Sequence, residues 1–123
     1  MLQLLDVKFE EGVVGTVIYR LKLPEFMADN IGIAHRGALA SLTDVIPYFA
    51  LYGFDQRPAT SLQLTTEFLN DAPVEEDLIC VCRVLKLGKA NAFTDCTIMN
   101  PKDSQPLVKG TLTINFVEET PKL

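Results

Sequence analysis

The chain has 123 residues, 48% of them hydrophobic, and a formal net charge of −5. That length predicts one domain over residues 1–123 with a core of its own, and the acidic balance excludes nucleic acid as the main partner while leaving room for a polyanionic ligand on a local basic patch. Asp6 and Lys8 interrupt the apolar start, so no secretory signal is expected, and no segment reaches the roughly 20 apolar residues that cross a bilayer.

Leu5, Val7 and Phe9 alternate with Asp6 and Lys8, which predicts a first strand. Glu10-Glu11-Gly12 turns the chain, and Val13, Gly15, Val17, Tyr19 and Leu21 share one phase through a second strand that Pro24 ends. A polar loop from Met27 to Ile33 leads into the stretch around which the chain is organised, Asp29 to Gly53. From Ala38 to Leu51 nearly every residue is apolar or small on all sides of a helix, which predicts burial all round. Pro47 predicts a kink or a water opposite Thr43, and Gly53 predicts the C-cap. After a loop over Phe54 to Pro58, Ser61 to Leu69 reads as a strand with Leu62, Leu64, Thr66 and Phe68 on one face.

Asn70 to Glu76 is a connection. Asp77 to Leu87, apolar on both faces, reads as a central strand, and Gly88-Lys89 turns it into a hairpin with Ala90 to Met99. Asn100 to Ser104 is a turn, Leu107 to Val117 the last strand, and the polar tail from Glu118 is expected to fray. The three cysteines lack a C-x-x-C or Cys/His spacing. Cys80 and Cys82 share a strand face with Cys96 elsewhere, so reduced core thiols, with no metal, are expected. Six strands and one apolar helix predict an α+β domain, an antiparallel sheet curled around a central helix. Whatever surface one small sheet leaves uncovered predicts a second subunit.

Asp44 is the one charge inside that helix, and His35, the only histidine, stands nine residues before it. Asp is a poor helix former, and an unpaired buried carboxylate is costly. Either it lines a cleft and does chemistry, or it accepts hydrogen bonds from Ser41 or Tyr48 one turn away. The helix alone leaves both readings open.

His35-Arg36-Gly37 followed by Asp44 resembles the His-Gly-Gly…Asp signature of hotdog-fold acyl-CoA thioesterases, of the phenylacetate-pathway and thioesterase-superfamily-member-two type. Gly32, the segment SLQLTTEFLNDA opened by Ser61, the run VLKLGKANAF from Val84 to Phe93, and Gly110 extend the resemblance over almost the whole chain. It implies a hotdog fold and hydrolysis of acyl-CoA thioesters in lipid metabolism, in the cytoplasm or an organelle matrix. Asp44 would be general base or nucleophile, and Ser61 would place the water. The backbone N–H of Arg36, beside Gly37 at the helix start, would hold the carbonyl oxygen, and His35 would orient the thioester. The resemblance further implies a homodimer, pairing into a dimer of dimers, with each site shared between subunits. Coenzyme A would be part of the substrate, with no separate cofactor, in a groove bordered by Phe68 to Pro73 and by the hairpin carrying Lys86, Gly88, Lys89 and Asn91.

Two positions depart from the signature. Arg36 stands where glycine is usual, and Asp29 where an asparagine amide is usual. They leave a second reading, a non-catalytic acyl-CoA or fatty-acyl binding protein whose site Arg36 has altered. A hotdog dehydratase fits less well, because that pattern has a helix glutamate entered by Pro-Gly.

Overall fold

A computed structural model describes residues 2–117, so the tail from Glu118 lies outside the described residues. The elements are β1 (Leu2–Lys8), β2 (Gly15–Lys22), a 3₁₀ turn (Glu25–Met27), α1 (Arg36–Tyr52), β3 (Ala59–Phe68), β4 (Asp77–Leu87), β5 (Asn91–Asn100) and β6 (Gln105–Phe116). The six strands form one sheet in the order β1-β2-β4-β5-β6-β3, with every neighbouring pair antiparallel. This is the α+β hotdog architecture, an antiparallel sheet with one long helix against it.

Alternation along the strands makes the layer beneath the helix. Tyr19 pairs with Cys80, Val17 with Cys82, Cys82 with Cys96, and Cys96 with Gly110, so one buried row crosses four strands. Cys96, expected apart from the other two cysteines, therefore joins them, because β4 and β5 fold back on each other in a register that sequence spacing does not encode. On the opposite face Arg83 and Asp95 form a cross-strand ion pair.

Helix α1 meets this layer through Leu39, Thr43, Ile46, Pro47, Ala50 and Leu51, a stripe of helical period. The expectation of burial all round is corrected: Val45, Phe49 and Tyr52 are 45%, 53% and 50% exposed. One sheet reaches only one side of a cylinder, and the far side stays open. The helix also runs as a single element through Pro47 and starts two residues earlier than expected. Gly53 does sit at the C-cap, but with φ −66° and ψ −22° it makes no use of glycine's left-handed freedom.

Gly110 sets how closely helix and sheet approach. A Cβ there would stand 2.7 Å from Thr43 Cβ. Thr43 has little freedom to retreat, since its Oγ1 bonds the Ala40 carbonyl at 2.8 Å and Thr66 Oγ1 at 3.0 Å. Gly110→Ala is therefore expected to destabilise by about 1–3 kcal/mol, the usual cost of overpacking, read as a lowered urea midpoint at unchanged slope.

Both sheet edges are exposed. All seven residues of β1 are exposed, and β3 carries Leu62 and Leu64 at 64% and 37% exposure. A β-bulge interrupts the β3–β6 pairing between Ser61 and Gln63. Leu62, expected in phase with Leu64, Thr66 and Phe68, is the extra residue and drops out of that row.

Candidate functional site

The bulge decides which side chain faces the helix. Ser61 pairs with buried Ile114 and Leu64 with buried Leu112, although an odd sequence separation would put them on opposite faces of a regular strand. Ser61 is thus turned under α1, where its hydroxyl donates to Asp44 Oδ1 at 2.5 Å. Neighbouring Thr60 bonds the Ser61 carbonyl instead. Ser41, a candidate partner for Asp44 within the helix, donates to the Gly37 carbonyl at 3.0 Å. Asp44 is half-buried, and its partner among the described residues comes from the sheet.

A second group of candidates lies at the start of α1. His35 is the N-cap, held by its backbone N–H on the Met27 carbonyl at 2.8 Å, and its ring makes no capping bond. The first N–H groups of a helix have no intrahelical acceptor and carry the positive end of its dipole. Beside them opens a cavity of about 410 Å³ lined by Asp29, His35, Arg36, Phe68, Asn70 and Asp71, among others. The Arg36 guanidinium lies over the Phe68 ring, 5.5 Å from its centroid, on the wall of that cavity. Asp29 Oδ1 accepts the N–H groups of Ile31 and Ile33 at 2.9 and 3.2 Å, closing the loop in which Gly32 takes φ +86°. An asparagine would make the same two bonds through its oxygen; the carboxylate differs in adding charge and lacking a donor. A Cβ on Gly37 would meet nothing within 4 Å, so the helix start is open there. On the other side of His35 a second hollow, of about 480 Å³, is almost wholly apolar, with Phe26, Met27, Leu42 and Val45 in its lining.

The hairpin candidates sit at the opposite end of the helix. Arg57, in the loop after α1, donates to the carbonyls of Gly88 and Lys89 at 3.0 and 2.7 Å and lies over the Phe116 ring, 3.7 Å from its centroid. Its remaining donors hold Asp55, whose carboxyl these hydrogen bonds keep below its ordinary value. Arg57 thereby fixes the turn that carries Gly88 and Lys89. Lys86 pairs with exposed Phe93 after a second bulge, and Asn91 opens β5. Arg57 escaped notice in the sequence because its partners are main-chain carbonyls over 30 residues away.

Within one chain these groups do not converge. Arg36 and Asp44 are eight residues apart on one helix, about 12 Å along its axis. Phe68 stands at the helix start and the Lys86–Asn91 hairpin at the far end.

A six-stranded antiparallel sheet on one long helix, with a carboxylate–hydroxyl pair between them and an open helix start, defines a hotdog domain. The chain belongs to the thioesterase superfamily, whose family model matches residues 31–107. Acyl-coenzyme A thioesterase 13 of Homo sapiens is 31% identical over 100 residues, which cover 80% of this chain and 71% of that protein. The solved structure of zebra fish thioesterase superfamily member 2 covers 94% of this chain and 81% of its own, at 23% identity and TM-score 0.80. A hypothetical thioesterase protein of Streptococcus pneumoniae TIGR4, solved with coenzyme A, covers 94% and 89% at 20% identity and TM-score 0.77. At these identities the two structures establish the fold.

Proposed function

We propose that the protein hydrolyses acyl-CoA thioesters, with Asp44 as general base or nucleophile and Ser61 placing the attacking water. The observation that carries this reading is the 2.5 Å hydrogen bond from Ser61 to Asp44, made across two elements and dependent on a bulge. A carboxylate oriented through one oxygen keeps the other free for a proton or a carbonyl carbon. The N–H of Arg36 at the helix start supplies the oxyanion donor. Its distance from Asp44 along the helix favours sites shared across a homodimer, the carboxylate from one copy facing the helix start of the other. Family membership and the relatives named acyl-coenzyme A thioesterase support the substrate class.

Release of free thiol from a panel of acyl-CoAs, followed with a thiol-reactive dye, tests the reading. Turnover of at least one chain length is expected, and none across the panel, with binding retained, would move the protein to the acyl-CoA binding class.

Arg36 bears on that choice. Its guanidinium is stacked on Phe68 and exposed, while the proposed donor is its backbone N–H. Arg36→Gly should therefore leave turnover within about twofold. A large gain of activity would show that the side chain blocks the site. A raised KM with steady kcat, fading at high salt, would show that it grips a phosphate of coenzyme A.

A further inference from the structure

The three thiols beneath α1 are absorbed by none of the chemistry above. Cys80, Cys82 and Cys96 are the only cysteines of the chain, each 0–1% exposed. Their sulfurs all lie within 4.8 Å of one another, Cys80 to Cys96 at 3.1 Å and Cys80 to Cys82 at 3.7 Å. Two come from β4 and one from β5, all on the helix side of the sheet, in a core shared with Ile46 and Ala50.

We propose that Cys80, Cys82 and Cys96 form a three-sulfur site for a soft monovalent cation, copper(I) by chemical class. Metal–sulfur bonds of about 2.3 Å place the sulfurs of a trigonal site about 4 Å apart, which is the scale of this cluster. Thiolate sulfur selects copper(I) and zinc over harder ions. Zinc takes a fourth ligand, and among the described residues no His, Asp or Glu joins the three sulfurs.

Cysteine sulfur ligates as thiolate, so each sulfur that binds copper(I) gives up its proton to solvent as the ion enters, and no electron is transferred.

The test uses the full chain, reduced and anaerobic. Copper(I) is added both to the native protein and during refolding, so that burial cannot by itself exclude the ion, and is then challenged with a chromogenic copper(I) chelator. One copper(I) per chain is expected to survive the challenge, with near-ultraviolet sulfur-to-metal absorption and with the three thiols protected from alkylation. Cys96→Ala and Cys80→Ala should each lose the ion; if either fails to fold, the wild-type stoichiometry and thiol protection still decide. Refolded wild type that retains no copper, or retains it with all three thiols freely alkylated, overturns the site and leaves three inert core thiols. Because the readout is bound metal, the result is independent of whether the protein hydrolyses thioesters.

Discussion

Asp44→Asn is expected to lower acyl-CoA hydrolysis by about 10²–10⁴, the range supplied by a positioned acid–base group, and to leave the fold intact. Asparagine matches aspartate in shape, and its Oδ1 can still accept the Ser61 hydroxyl that now reaches Asp44 at 2.5 Å. What it cannot do is take a proton from water or attack a carbonyl. Asp44 is only half-buried, so neutralising it removes little favourable or unfavourable electrostatic energy. The urea midpoint should therefore stay near that of the wild type while turnover collapses. Ser61→Ala should give a smaller loss, since water can still reach the carboxylate without the hydroxyl that orders it. Turnover in Asp44→Asn within about twofold of wild type would remove the carboxylate from the mechanism and leave its hydrogen bond as a tie between helix and sheet.

Much of this was legible in the sequence, and the gaps have physical causes. Strand alternation and the apolar helix gave the sheet-on-helix architecture, because burial periodicity is a local property of the chain. Asp44 stood out for the same reason, as a charge where apolar residues would cost less. Its partner Ser61 came only from the family resemblance, because alternation puts Ser61 and Leu64 on opposite faces and only the bulge at Leu62 reverses this. Bulges have no reliable residue signature away from glycine. The thiol cluster was hidden by register: Cys82 and Cys96 are 14 residues apart, and only the β4–β5 pairing sets them side by side. The open helix face of Val45, Phe49 and Tyr52 shows the opposite error, since hydropathy reports what a surface prefers and not what one chain can cover.

Arg36→Pro is expected to be the second most damaging change, and it separates a shared site from one built within a chain. Arg36 is the first residue of α1, a position that tolerates proline well because its N–H has no intrahelical partner. The preceding residue must then be extended, and His35 already is, with φ −62° and ψ 132°. The substitution thus deletes the proposed oxyanion donor with little cost to the fold, and the loss of rate should be about 10²–10³. Thermal melting should confirm a folded protein. The decisive measurement mixes this variant with Asp44→Asn after joint unfolding and refolding. In a dimer whose sites each take a carboxylate from one copy and a helix start from the other, every mixed dimer contains one site with both groups intact. With half the dimers mixed and half of their sites whole, about a quarter of wild-type activity should return. If each site lies within a single chain, every chain in the mixture remains defective and nothing returns. Recovery that vanishes when the two variants are refolded separately and then combined briefly would tie it to exchange of subunits, and so place the carboxylate of one copy opposite the helix start of its partner.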